Sequence, residues 1–290
     1  MLNAIDTLLQ GALLGGRYAL MAIGLSLAFG VMRLVNVAHG DFIVLAAYLA
    51  LAVTATLGWP PLLALVIVVP VMAALGYFLQ CFLLNRTVGR DIMPGLLVTF
   101  GLSVVIQNGL LESFSADSQR LQAGDLSSAS FTLGENLSIG WFPLLTLGLA
   151  VAVIVLIELL MHRTALGRAF RAAADDSEVV ELMGYDSRHV YGLAMALAFG
   201  AAGLAAVLFG IGTTFDPSFG PPQLLFSFEA VIIGGMGSLW GTLAGGIVLG
   251  IAQAIGFRID PGWGILFGHA MFLIILAVHP RGLFPKTREA

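Results

Sequence analysis

The sequence predicts an all-α fold, a polytopic transmembrane helical bundle with about eight or nine membrane segments. Of its 290 residues, 59% are hydrophobic and only 10% are charged, whereas soluble domains average about 25% charged residues. Several apolar runs reach the roughly 20 residues that a helix needs to cross a bilayer. The alternating patterns typical of membrane β-barrel strands are absent. We therefore expect a single membrane domain over residues 1–290.

Eight apolar runs are the candidate membrane segments, and one of them is long enough to be interrupted. The stretch GGMGSLWG lies inside this long run, and adjacent glycines weaken a helix. We expect a break near 234–241, as two half-helices or a re-entrant turn, although a long tilted helix is the alternative. The runs span about 7–32, 40–57, 61–84, 94–113, 141–161, 191–212, 225–256 and 264–279.

The distribution of arginine and lysine predicts the orientation of the chain. Arginine and lysine are concentrated in residues 85–93, in residues 162–190 and in the tail after 280. Short loops rich in arginine and lysine usually face the cytoplasm. The acidic loop 114–140 is then external, and so is the N-terminus. The basic tail returns to the cytoplasm only if the run 225–256 is broken, which favours the break.

The stretch VNVAHGDF places Asn36, His39 and Asp41 between two apolar runs. Ionisable groups inside a membrane usually face a cavity or a partner. Asn36 and Gly40 would share one face of a helix, or Gly40 would permit a local break that exposes backbone groups to a cavity. An interfacial turn is the alternative. One histidine and one aspartate are too few ligands for a metal site.

A second polar feature lies on the run 94–113. Thr99, Ser103 and Gln107 recur at every fourth residue, so they form a stripe on one helical face. The stripe would line a solute path or hold helices together by hydrogen bonds. Glu229 is a pathway candidate because it lies within an apolar run, although water from the nearby external loop is the alternative. The break adds Gly234, Gly235, Gly237 and Ser238 as candidates for a gate.

Residues 162–190 are too charged to cross a membrane. Within them, 168–184 reads as an amphipathic helix that Gly184 is placed to end. Such a helix suits docking into a groove of a soluble partner, and a helix that rests on the membrane surface is the alternative. The docking candidates are Arg168, Arg171, Asp175, Asp176, Glu178, Met183 and Gly184.

Several function classes lack the residues that they need. The sequence has no GxxxxGK[ST] nucleotide-binding motif, and no arrangement of a nucleophile with a base stands out. Cys81 is the single cysteine, which excludes a disulfide or a multi-cysteine metal site within the chain. No basic stripe indicates nucleic-acid binding. We expect a protein that is not an enzyme and that binds no metal or cofactor.

Four stretches together resemble one known family. They resemble, in sequence and in order, the signatures of LivH-type permeases of branched-chain amino acid ABC importers. The stretches are GLSLAFGVMRLVNVAHGDFIVLAAY, GRAFRAAADDSEVVELMGYDSRHV, AVIIGGMGSLWGTLAGGIVLG and the tail HPRGLFPK. The polar stretch GLSVVIQN also sits where that family has a similar helix. The resemblance covers nearly the whole chain.

The resemblance implies an inner-membrane permease subunit that works with several partners. These are a second, related permease, two cytoplasmic ATPase subunits that bind ATP, and an external solute-binding protein. It also implies that the segment 162–190 couples the permease to the ATPases. Leucine, isoleucine and valine are the implied solutes.

Some positions depart from the family pattern. Val179 and Val180 stand where the family often has two alanines, and Phe226, Glu229 and Trp240 also differ from common residues. These differences keep open urea, short amides or other amino acids as solutes. Two other classes stay as alternatives: an ion-coupled secondary transporter, which would use a buried carboxylate or histidine as a relay, and a passive solute channel.

Overall fold

A computed structural model describes residues 2–88, 92–127, 129–132, 138–182 and 184–284. Within these ranges the chain forms eleven α-helices and one short antiparallel hairpin, β1 (Ser130–Thr132) with β2 (Ser138–Gly140). The helices are α1 (Leu2–Met32), α2 (His39–Leu57), α3 (Pro61–Phe82), α4 (Met93–Phe114), α5 (Trp141–Arg163), α6 (Ala165–Asp175), α7 (Ser177–Leu182), α8 (Ser187–Gly212), α9 (Gly220–Gly234), α10 (Leu239–Ile259) and α11 (Gly264–Val278).

Seven helices in the described part of the chain are long and apolar enough to cross a membrane: α1, α2, α3, α4, α5, α8 and α10. Helices α9 and α11 have 15 residues each, so each is only about 22 Å long, shorter than the hydrocarbon core of a bilayer. The predicted all-α membrane bundle is confirmed, with nine membrane segments when these two are included.

The predicted break in the long apolar run is confirmed. Helix α9 ends at Gly234 and α10 begins at Leu239. Gly235 and Gly237 have φ angles of 102° and 79°, a region that favours glycine. The Ser238 hydroxyl then accepts a hydrogen bond of 3.1 Å from the Gly241 N–H, which caps the start of α10. The turn therefore follows from the local sequence.

The prediction of one helix over 168–184 is wrong in detail. The chain forms α6 and α7 instead, because Asp176 between them is extended, with φ −154° and ψ 114°. The stop at Gly184 is confirmed: its φ is 85°, and the Tyr185 N–H bonds to the Val180 carbonyl. Met183 lies outside the described residues, and so does the side chain of Glu178.

The arginine-bearing segments meet at one end of the bundle. The Asn85 side chain donates to the Arg188 carbonyl at 3.2 Å, which joins the loop after α3 to the start of α8. At the opposite end, the loop after α4 pairs with the loop after α8 through Gln119 and Phe215. We call the first end the arginine-rich end. Its placement in the cytoplasm stays a prediction from the charge pattern.

The two halves of the bundle repeat one arrangement in opposite directions. Helix α1 runs to the arginine-rich end, the chain turns back through 33–38, and α2 begins beside the middle of α1. Helix α8 runs the other way, the chain turns back through 213–219, and α9 begins beside α2. Accordingly, α1 packs on α10 as α3 packs on α8. Such inverted repeats are common in membrane transporters.

We call the two segments that turn back, 33–38 and 213–219, the returning segments, and each forms the same pattern of internal hydrogen bonds. The Asn36 side chain accepts from the Ala38 N–H at 3.1 Å, and its carbonyl accepts from the His39 N–H. Asp216 makes the same pair of bonds with Ser218, at 2.9 Å, and with Phe219. A short polar side chain that bonds to the backbone two residues ahead stabilises a turn. Each turn leads directly into a new helix.

Candidate functional site

The centre of the bundle is the place where α2 and α9 begin against each other. A Cβ atom added to Gly40 would overlap the Gly220 carbonyl, and one added to Gly220 would overlap the Asp41 carboxylate. Glycine at both positions therefore permits the close approach. Two helix N-termini, the positive ends of their dipoles, thus face each other within the predicted membrane.

Asp41 supplies a carboxyl group at this junction. It lies in the first turn of α2 and is 2% exposed. Its carboxylate accepts a hydrogen bond of 2.9 Å from the Gln107 amide, which also donates to the Ser103 hydroxyl at 3.1 Å. The α2 N-terminus and the Gln107 amide both offer hydrogen-bond donors or a positive potential to this carboxyl group. The polar stripe of α4 therefore faces the junction.

At Thr99, the end of the stripe nearer the start of α4 holds the returning segment 33–38. The Thr99 hydroxyl accepts from the Val37 N–H at 3.2 Å and donates to the Gly95 carbonyl at 2.8 Å. Asn36 is 1% exposed, and its Nδ2 atom has no hydrogen-bond partner among the described residues. The stripe thus acts at least as interhelical glue. A role in a solute path stays a prediction for these residues.

His39 links the start of α2 to α1. Its ring is 2% exposed, and Nε2 lies 2.9 Å from the Met21 carbonyl. A carbonyl only accepts hydrogen bonds, so this contact requires the proton on Nε2. Gly24 leaves room for the ring, because a Cβ atom there would lie 3.1 Å from its Cε1 atom. The contact gives His39 a structural role in fixing where α2 begins.

Glu229 belongs to a second buried polar cluster, separate from the junction. It is 2% exposed, and its carboxylate lies 2.5 Å from Nδ1 of His269. The Phe226 ring stacks on His269, and the neighbouring Tyr18 hydroxyl donates to Gln253 at 2.6 Å. His269 is not among the residues predicted from the sequence. It lies within an apolar run, which is the same signal that drew attention to Glu229.

The residues of the break lie at the arginine-rich end and not at the junction. Gly234 packs against Gly241 so closely that a Cβ atom would overlap its carbonyl. Gly237 lies against Gly30 near the end of α1. The structure thus divides the predicted pathway and gate residues between two places. Ser238 caps α10 and does not reach Asp41.

The docking candidates split into exposed and packed residues. Arg168, Asp175 and Asp176 are exposed, whereas Arg171 is half-buried and donates to the Met161 carbonyl at the end of α5. Beneath them, Phe170 and Ala173 pack into the core. The large apolar side chain of Leu182 is 87% exposed. A solvent-facing apolar residue of this size is what an interface would cover.

Comparison with known proteins agrees with this architecture. Residues 7–276 match the family described as the permease component of the branched-chain amino acid transport system. The chain belongs to this family. It is a family of transport permeases and not of enzymes, and the prediction of a multi-pass membrane protein is confirmed.

Individual relatives extend over the same region. The high-affinity branched-chain amino acid transport system permease protein BraD of Pseudomonas aeruginosa is 28% identical over 97% of this chain and 96% of its own length. The corresponding permease protein LivH of Escherichia coli K12 is 25% identical over 97% of this chain and 96% of its own. The permease protein LivM of the same organism is 27% identical over 43% of this chain and 30% of its own.

Proposed function

We propose that this chain is the permease subunit of an ATP-driven importer that moves leucine, isoleucine and valine across the bacterial inner membrane. The observation that carries the proposal is the family match over residues 7–276, supported by the substrates in the names of BraD and LivH. Interrupted helices that meet inside a membrane are typical of transport sites. The junction of α2 and α9 is therefore the proposed path.

The partners follow from the same reasoning. A second, related permease pairs with this chain, which the similarity to LivM supports. An external solute-binding protein delivers the amino acid. Two ATPase subunits dock at α6 and α7, and ATP binds to them and not to this chain. Their closure moves α6 and α7, and the bundle shifts between outward-facing and inward-facing states around the junction.

Transport itself is the first test. The chain is purified with the matching permease, ATPases and binding protein of the same organism, and the complex is placed in liposomes with ATP inside. We expect labelled leucine to accumulate only with ATP and the binding protein. Accumulation by this chain alone under a proton gradient would support an ion-coupled transporter instead. Flux that is equal in both directions and independent of ATP would support a channel, and uptake of urea in preference to leucine would change the solute.

A single exposed residue tests the docking segment. Glutamate at position 182 would place a charge where an apolar side chain is 87% exposed, so Leu182→Glu should prevent association with the ATPases and abolish uptake. Leu182→Met keeps the apolar surface and is the matched control. Gel filtration of the permease alone should be unchanged in both variants. Normal leucine uptake by Leu182→Glu would contradict docking at this segment.

A further inference from the structure

A pocket of about 410 Å³ opens at the arginine-rich end, apart from the junction of α2 and α9. It lies between the ends of α1 and α5, helix α6 and the turn after α9. Its volume falls within the roughly 300–1,000 Å³ of small-molecule sites. Arg171 and Asp175 of the proposed docking segment contribute to its lining, and the pocket lies between that segment and the ends of α1 and α5, away from the path.

The pocket carries charges of both signs. Arg33 and Asp175 line it from different elements. Neither side chain has an ion-pair or hydrogen-bond partner within the described part of the chain, and the two do not pair with each other. Glu158 and Arg171 also line the pocket, and these two already bond to His162 and to the Met161 carbonyl. One cation and one anion are thus available to a ligand.

Buried and apolar groups complete the lining. Ser26 is 0% exposed, and its hydroxyl has no hydrogen-bond partner among the described residues. An unsatisfied buried hydroxyl is costly unless something bonds to it. Leu27, Val31 and Met161 supply apolar surface in the same pocket. The lining therefore offers a polar anchor beside an apolar wall.

This combination excludes most simple ligands. A phosphate or another anion would meet the carboxylates of Glu158 and Asp175, and a cation would meet the guanidinium groups of Arg33 and Arg171. A zwitterion has a carboxylate for the arginine and an ammonium group for the aspartate, and charge-assisted hydrogen bonds of this kind are strong. The apolar wall accommodates a branched aliphatic side chain.

We propose that this pocket binds a free branched aliphatic amino acid from the cytoplasm, as a site separate from the transport path. The identity of the ligand with the transported solute rests on the proposed function. Because α6 and the turn residue Gly237 both line the pocket, an occupant bridges the coupling segment and the helix break. Binding therefore slows the movement of α6 and makes import sensitive to its own product.

Binding is measured first, by calorimetry on the purified full-length chain. Leucine should bind, whereas isoamylamine, which lacks the carboxylate, and 4-methylpentanoate, which lacks the ammonium group, should each bind at least about tenfold more weakly. Arg33→Gln and Asp175→Asn should weaken leucine binding by a similar factor. Both side chains are exposed, so folding should be unaffected. Arg86→Gln, an exposed arginine at the same end that does not line the pocket, is the matched control.

Two results would overturn the proposal at this stage. One is leucine binding that is absent, or equal in the wild type, Arg33→Gln and Asp175→Asn. The other is displacement of leucine by short-chain phosphatidylethanolamine at concentrations below those at which leucine binds. That lipid carries the same pair of charges, so its preference would identify a lipid head group as the occupant.

Transport then tests the regulatory consequence. The reconstituted importer is loaded with ATP and unlabelled leucine inside the liposomes, and the initial uptake of labelled leucine is measured. Internal leucine should slow uptake by the wild type and by Arg86→Gln. For Arg33→Gln, the concentration of internal leucine that halves uptake should be at least about tenfold higher. Equal inhibition of all three would contradict the proposal. Absence of uptake in every sample would contradict the proposed function instead, while the calorimetric result would still report on the pocket.

Discussion

The two returning segments, 33–38 and 213–219, solve the same structural problem with different side chains. Each follows a long helix, turns on an Asn or Asp side chain and delivers a new helix to the centre of the bundle. The first delivers His39 and Asp41, and the second delivers Phe219 and Pro221 at the matching positions. The two segments share the backbone turn and the place in the bundle where the next helix begins. The polar side chains come from the first segment, and their role in a solute path stays a prediction.

The largest expected effect comes from disrupting the close approach of Gly40 and Gly220, where the two new helices begin. Gly40→Leu forces a side chain into the Gly220 carbonyl, and Gly220→Leu forces one into the Asp41 carboxyl group, so each should lower the free energy of unfolding by about 3 kcal/mol. Thermal unfolding and gel filtration in detergent measure the loss. Gly101→Leu in α4, where nothing lies within 4 Å of an added Cβ, is the control and should change little. A variant at one junction glycine that behaves like the control would contradict the equivalence of the two positions.

A smaller effect should separate the two segments. Asp41→Ala removes the carboxyl group that accepts from Gln107 and leaves a buried donor without a partner, so it should cost about 1–3 kcal/mol. Pro221→Ala, at the matching position of the other segment, should cost less than about 1 kcal/mol through the unfolded chain alone. Thermal unfolding of the two variants compares these costs. A double-mutant cycle with Gln107→Leu should show coupling to Asp41→Ala and none to Pro221→Ala; equal costs and no coupling would show that the asymmetry has no energetic weight.

The smallest effect concerns the turns themselves. Asn36→Ala and Asp216→Ala each remove one side-chain bond to the backbone and should each cost about 1 kcal/mol. Urea or thermal unfolding curves measured side by side are sufficient. Asn108→Ala, at an exposed site on α4, is the control for an asparagine outside the turns. Losses that differ by more than about 1 kcal/mol would show that the turns are alike in geometry and not in energy.

The predictable part of the fold is the part that local sequence controls. The apolar runs and the glycines at 234 and 235 were sufficient for the helices and the break. The separation of α6 from α7 was not, because helical periodicity continues through Asp176 while the backbone there is extended. The meeting of Gly40 with Gly220 was also out of reach, since it depends on packing between residues far apart in the chain.

The candidate site was predictable by residue type and not by partner. The four-residue spacing of Thr99, Ser103 and Gln107 indicated a face, and the structure shows that this face meets Asp41. Spacing within one helix carries no information about which helix lies opposite. The inverted repeat had a signal that was overlooked: Phe29-Gly30 with Asn36, and Phe209-Gly210 with Asp216, stand at the same intervals.

The last described residues of the chain bear on how the protein is made. The N–H groups of Leu283 and Phe284 bond to the carbonyls of Ile233 and Gly234, at 2.9 and 3.0 Å, and so satisfy groups at the C-terminal end of α9 that have no partner within the helix. During synthesis, α9 and α10 leave the ribosome before Leu283 and Phe284 do. The carbonyl groups at the helix break therefore gain these two partners only after residues 283 and 284 have been made.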